Sequence, residues 1–115
     1  MSLDVELYVE VDTGASELHR VCLYDANITH NLCKMAEAAG IYEIVWHPES
    51  LGIKRAYEII QGLETGIDEL KSCPSVYKAF DAENGWGLYA DFVPWLDRYL
   101  EACKEHPLAK IYSST

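Results

Sequence analysis

Basic residues are scarce in this sequence. Nine Lys and Arg residues oppose nineteen Asp and Glu residues, so the formal net charge is −10 at pH 7. Nucleic acid or an anionic membrane surface would meet electrostatic repulsion from such a chain instead of releasing counterions to it. We therefore expect no direct binding to nucleic acid or to membranes. The same charge permits a basic host protein as a partner.

Patterned cysteines, patterned histidines and long apolar runs are also missing. The four cysteines form no CxxC pair and are irregularly spaced, which argues against a zinc knuckle or a disulfide framework. The four histidines show neither HxxxH nor HExxH spacing, so we expect no metal site, and no cofactor motif is present. No basic segment followed by an apolar run and no membrane-length apolar segment occurs. These absences predict a cytoplasmic protein.

Length and hydrophobic content suit one domain. With 115 residues, 50% of them hydrophobic, the chain can bury one core and has little room for a second. We predict a single α+β domain over residues 1–115. The aromatic residues are 8 Tyr, 3 Trp and 2 Phe, and Tyr and Trp stack on ligands as well as pack in cores. This composition favours a binding surface.

Alternating residues predict a small antiparallel sheet. Apolar and polar side chains alternate over residues 3–12, which is typical of a strand with one buried face. Residues 12–16 have turn composition, and residues 18–24 are predicted to return as the second strand of an N-terminal hairpin. Residues 109–113 alternate again and predict a C-terminal strand that joins the hairpin.

Helical spacing follows the hairpin. Asn27 is a good N-cap for a helix that ends at Gly40, and apolar residues recur along one stripe between them. Residues 42–46 are predicted to form a short apolar connection that runs into His47-Pro48. A new helix is expected after this proline.

Two further helices precede the last strand. The apolar spacing over residues 53–70 predicts one helix, or two collinear pieces interrupted near Gly62 and Gly66. Residues 88–103 predict a final helix in which Pro94 either causes a kink or lies in the first turn. The predicted fold is α+β: an N-terminal β-hairpin and a C-terminal strand in a small antiparallel sheet, with about three helices packed on one face.

The polar start of the first predicted helix is one candidate binding site. His30, Asn31 and Lys34 lie beside its apolar stripe, where unpaired N–H groups and the helix dipole favour an anion. With Asn27 they supply hydrogen bonds and charge for a phosphate or a carboxylate. Alternatively, Asn27 only caps the helix and His30 bonds a nearby backbone carbonyl. Asn31 and Lys34 are then simply solvated.

The segment Asn84-Gly-Trp-Gly87 is the second candidate site. Its two glycines allow positive φ angles and let a planar ligand approach Trp86, while its Asn adds a hydrogen bond. Tyr89 enlarges the aromatic surface, and Arg55 pairs with a phosphate if it faces the same cavity as His30. Alternatively, the segment is an ordinary turn whose Trp anchors the last helix, or the aromatic residues form a protein interface.

Five short motifs together carry a resemblance to a group of known proteins. They are Ala26-Asn-Ile-Thr-His-Asn-Leu32, Ala39-Gly-Ile-Tyr42, Trp46-His-Pro48, Asn84-Gly-Trp-Gly87 and Tyr99-Leu-Glu-Ala-Cys103. With them the chain resembles small proteins of tailed bacteriophages and prophages over most of its length. That group carries no established activity, so no functional residue is transferred from it. The resemblance implies an accessory protein in the cytoplasm of a bacterial host cell, a setting in which several phage families counter host defence.

Three functions follow as hypotheses. The leading one is noncatalytic binding of a small anionic, nucleotide-like molecule, and a homo-oligomer suits it because short chains build deep pockets at subunit interfaces. The alternative is an acidic inhibitor that binds a host defence protein. The third is a small hydrolase that uses His30 as general base. The residues assigned to ligand binding are Asn27, His30, Asn31, Lys34, Arg55, Asn84, Trp86 and Tyr89.

Overall fold

The sheet forms as the alternation predicts. A computed structural model describes residues 2–115 and has three antiparallel strands in the order β2-β1-β3. They are β1 (Ser2–Val11), β2 (His19–Thr29) and β3 (Lys110–Ser114). The apolar side chains of β1 at positions 3, 5 and 7 are buried, and the even-numbered positions face away from the core. The α+β class and the antiparallel sheet are thus confirmed.

The second strand is longer than predicted, and the helix expected to begin at Asn27 does not begin there. Residues 25–29 continue β2, with Ile28 opposite Leu3 and Asn27 opposite Asp4. Ile28 is only 8% exposed because it joins the core from the sheet. An apolar residue at this position satisfies the period of a strand as well as that of a helix, so the sequence pattern alone did not separate the two.

The helical layer contains more pieces than the three expected. Among the described residues, five α-helices and three 3-10 turns cover one face of the sheet. Residues 42–46, predicted as a connection, form a single helical turn. The α-helices are α1 (Cys33–Ala38), α2 (Tyr42–Trp46), α3 (Ile60–Ser72), α4 (Pro74–Lys78) and α5 (Tyr89–Glu105), and the 3-10 turns are His30–Leu32, Pro48–Leu51 and Ala56–Ile59.

Glycine and proline leave the two long helices continuous. A Cβ atom at Gly66 would lie 2.1 Å from the Cγ2 atom of Ile41, so the glycine lets α3 approach the start of α2 closely. Helix α3 runs unbroken through Gly62 and Gly66, so the interruption predicted there is wrong. The helix predicted from residue 53 is also too long, because α3 begins at Ile60 after the 3-10 turn Ala56–Ile59. Pro94 lies inside α5 and not in its first turn.

The buried side chains of the sheet and of the helices form one cluster. Its largest members include Trp46 from α2 and Phe92 and Tyr99 from α5. Trp95 is 5% exposed and packs against Phe92 and Tyr99, with ring centroids 6.5 and 5.5 Å apart. Within residues 2–115, no helix combines the length and the apolar character that a membrane crossing requires.

Candidate functional site

A cleft of about 1050 Å³ lies between the end of β2, the loop before α5 and the first half of α5. Five of the eight predicted site residues line it, although they are up to 59 positions apart in the chain. Both polar segments singled out in the sequence therefore face one space. We call this space the Trp86 cleft; the predicted residues in its wall are Asn27, His30, Asn31, Asn84 and Trp86.

The backbone around Trp86 is fixed while its side chain is free. The Trp86 N–H donates to Oδ1 of Asn84 at 3.0 Å, and Nδ2 of Asn31 donates to the Trp86 carbonyl at 2.7 Å. Gly87 has a φ of +116°, and a Cβ atom there would lie 2.8 Å from Cβ of Asn31. The Trp86 side chain is nevertheless 71% exposed, so it is not a buried anchor of α5.

His30 makes a structural contact within this wall. Its Nδ1 accepts a hydrogen bond from Nε1 of Trp46 at 3.0 Å. Trp46 is 1% exposed, and a buried indole N–H requires an acceptor. The expected backbone carbonyl partner is thus replaced by a side chain, and His30 has Nε2 left to offer to a ligand.

The hydrolase hypothesis receives little support from these contacts. Within the described residues, no carboxylate hydrogen bonds to His30 and orients it as a general base. Cys33, a neighbour on the same segment, has its thiol pKa raised, chiefly by burial and further by the charge of Glu37. The thiol is therefore protonated near neutral pH and is a weak nucleophile.

Asn27 joins the strands where the sequence predicted a helix cap. Its Nδ2 donates to Oδ1 of Asp4 at 2.7 Å and to Oγ of Ser2 at 3.0 Å, and its carbonyl accepts from Nε1 of Trp95 at 3.0 Å. The bond from Trp95 holds the end of β2 against α5, the two bonds from Nδ2 hold it against β1, and Oδ1 of Asn27 remains available. Asn27 contributes to the shape of the cleft as well as to its polarity.

The helix start predicted at Asn27 is wrong, because β2 continues through Thr29. Thr29 takes the N-cap position, and its Oγ1 accepts from the backbone N–H of Asn31 at 3.3 Å. The cap precedes a 3-10 turn of three residues and then α1 of six residues. So short a helix sums few peptide dipoles and supplies little of the electrostatic attraction expected for an anion at this point.

Three of the predicted residues do not line the Trp86 cleft. Lys34 lines a neighbouring depression that shares His30, Asn31 and Asn84 with it. The guanidinium of Arg55 donates to the carbonyl of Leu108 at 2.6 Å, near β3. The hydroxyl of Tyr89 donates to the carbonyl of Leu70 at 2.7 Å, which attaches the start of α5 to α3.

Helix α5 supplies cleft residues that the sequence analysis missed. Asp91, Pro94 and Arg98 all line the cleft, at spacings of three and four that place them on one helix face. Arg98 makes no ion pair or side-chain hydrogen bond with the other described residues. Pro94 has no N–H to donate to the carbonyl of Ala90, which also lines the cleft. The helical spacing was visible in the sequence, but not the surface that it faces.

Within residues 2–115, no three His, Cys, Asp or Glu side chains are grouped so that they could hold a metal ion. Comparison of the chain with protein-family models, with curated proteins and with solved structures found no match.

Proposed function

We propose that this protein binds a small nucleotide-like ligand without catalysis, in the Trp86 cleft. The observation that carries the proposal is the exposed indole of Trp86 on an anchored loop at the edge of a 1050 Å³ space. An indole that is 71% exposed on an anchored loop offers a flat apolar face on which a planar ring can stack. A nucleobase is a flat ring of suitable size.

The polar groups of the cleft suit the edge of such a ring. Asn31 uses its Nδ2 on the Trp86 carbonyl and keeps Oδ1 as an acceptor. Asn84 uses Oδ1 on the Trp86 N–H and keeps its amide nitrogen as a donor. His30 keeps Nε2. The cleft thus offers donors and acceptors together, which an amide-bearing base edge requires.

The biological setting is part of the same proposal. The motif resemblance supports an accessory protein of a phage or prophage that acts in the cytoplasm of the bacterial host. Sequestering a nucleotide signal would counter host defence, and it would require binding without turnover. The open Trp86 cleft becomes deeper if a second subunit covers it, which is the reason to propose a homo-oligomer.

Calorimetric titration of the protein with nucleosides and nucleotides of the common bases tests this proposal. Trp86→Ala should weaken binding of the preferred compound by about tenfold or more, because stacking on an aromatic ring contributes about 1–3 kcal/mol per base. Tyr57→Ala is the matched control. Tyr57 is also an exposed aromatic residue, at 54%, and it does not line the cleft.

Quenching of tryptophan fluorescence by acrylamide gives a second readout on the same samples. Trp46 and Trp95 are nearly buried, so most of the accessible fluorescence comes from Trp86. A stacked ligand should protect this fraction. If no compound gives a heat of binding or protects the fluorescence from acrylamide, the proposed function is refuted. If Trp86→Ala and Tyr57→Ala lower the affinity equally, the role of Trp86 is refuted.

The outer face of the sheet supports a second candidate function, binding of a basic host protein. Asp4, Glu6 and Asp25 lie beside the half-exposed Tyr112 in a groove of about 490 Å³. The same face already holds one guanidinium, because Arg20 bonds Glu6 and lies 3.7 Å from the ring centroid of Tyr8. A lysine-rich or arginine-rich segment of a partner would bind the carboxylates and the aromatic ring of the groove in the same way.

Fluorescence anisotropy with a labelled arginine-rich peptide distinguishes this function from general attraction to an acidic protein. Asp25→Asn should weaken peptide binding, whereas Glu101→Gln, which removes one negative charge at an exposed position of α5, should leave it nearly unchanged. If the two variants weaken binding equally, the peptide senses only the net charge and the groove is not the site.

A further inference from the structure

The charges in the walls of the Trp86 cleft are balanced. Arg98 and Asp91 are the charged side chains among its lining residues, and their formal charges cancel. The neighbouring depression repeats this balance with Lys34 and Glu83. The ring nitrogen of His30 that faces Trp46 acts as an acceptor, so it carries no proton in this arrangement.

A polyphosphate would be held poorly by such walls. Sites for nucleoside triphosphates concentrate positive charge through several cations, long helix N-termini or bound Mg²⁺. The formal net charge of −10 also makes the average field of this protein repel a polyanion, and the repulsion grows with each added phosphate.

A single phosphate is different, because the lining of the cleft itself contains one cation that is in no ion pair with the described residues. Arg98 lies in the cleft wall without an ion pair among the described residues, so its guanidinium is free for one bidentate contact. Apart from the carboxylate of Asp91, the remaining polar side chains of the cleft are amides, hydroxyls and an imidazole, which recognise a base edge and not a phosphate charge.

From this charge balance, and resting on the proposed function, we infer that the ligand carries at most one phosphate. The class comprises nucleosides and nucleoside monophosphates, including cyclic ones, and excludes nucleoside triphosphates. Trp86 receives the base, Asn31 and Asn84 bond its edge, and Arg98 receives the single phosphate.

The test is a phosphate series measured by calorimetry. A nucleoside, its 5′-monophosphate, its cyclic monophosphate and its triphosphate are titrated for each common base, at about 50 mM and about 300 mM NaCl. For the preferred base, we expect the tighter-binding of the two monophosphates to have at least the affinity of the nucleoside. At low salt, the affinity of the triphosphate should be lower than that of this monophosphate by a factor of about ten or more. Added salt should narrow that difference, because it screens the repulsion.

The outcomes separate this inference from the proposed function. If no member of the series binds, both fall together. If the triphosphate binds as tightly as the monophosphate or more tightly, the binding function stands and the inference on charge is overturned. If the nucleoside or a monophosphate binds more tightly than the triphosphate, and this difference is largest at low salt, the result supports both the binding function and the inference on charge.

A pair of variants tests the role of Arg98. Arg98→Gln should lower the affinity for the monophosphate by about threefold to tenfold, which removes its advantage over the nucleoside, and it should leave the affinity for the nucleoside unchanged. Lys104→Gln makes the same change in net charge on the same helix, at a lysine paired with Glu64 and outside the cleft, and should preserve that advantage. Equal effects of the two variants would overturn the assignment of the phosphate to Arg98.

Discussion

The hydroxyl of Tyr99 is a buried polar group that lacks a hydrogen-bond partner among the described residues. Tyr99 is fully buried between the rings of Tyr24 and Trp95, and its hydroxyl has no hydrogen-bond partner among the described residues. Tyr99→Phe removes this unpaired group and keeps the ring, so we expect the free energy of unfolding to rise by about 1 kcal/mol or more. Urea denaturation followed by circular dichroism measures the change.

Tyr77→Phe is the matched control for Tyr99→Phe. Tyr77 is also buried, but its hydroxyl donates to Oε1 of Glu69 at 2.9 Å. We expect this variant to lose about 1 kcal/mol of stability, because a made hydrogen bond is removed. If Tyr99→Phe destabilises the protein to the same extent, the Tyr99 hydroxyl has a partner, such as a bound water molecule.

At the scale of elements, the loop that presents Trp86 depends on Gly87. Alanine at this position would combine a φ of +116° with a contact of 2.8 Å to Cβ of Asn31. Gly85→Ala is a control, because it has a positive φ of +77° but no atom within 4 Å of the added Cβ. We expect Gly85→Ala to cost about 1–2 kcal/mol and Gly87→Ala to cost more and to weaken ligand binding. Equal costs in urea denaturation would show that the loop does not press against Asn31.

Local patterns predicted the elements better than they predicted the site. The alternation in residues 3–12 specified β1 because only one register buries its apolar side chains. The end of β2 was predicted as a helix because Ile28 fits both periods, and the partner that decided the matter, Leu3, is 25 positions away. The contact between Asn31 and Trp86 spans 55 positions, so sequence spacing named both residues without joining them. Arg98 was missed for the same reason, since the surface that a helix face meets is a tertiary property.

At the scale of the whole molecule, stability should fall on the alkaline side. Burial raises the pKa of the Cys103 thiol from its ordinary value of 9.0 to about 12, and it raises the pKa of Tyr99 well above 10.0. The unfolded chain therefore releases these protons first as the pH rises. Stability is complete below about pH 9 and is lost progressively towards pH 12, by up to about 1.4 kcal/mol per pH unit for each group.

Urea midpoints between pH 7 and pH 11 measure this dependence, and one substitution assigns part of it. Cys103→Ala lowers the absolute stability by leaving a small cavity, but it should also make the alkaline decline less steep, because one fewer proton is released on unfolding. Tyr99→Phe should further reduce the slope of stability against pH at the upper end of the range. Burial raises the pKa of the Tyr99 hydroxyl, and phenylalanine has no hydroxyl proton to release on unfolding. A stability that stays constant to pH 11, or a slope unchanged in both variants, would mean that these groups are open to water in the folded protein.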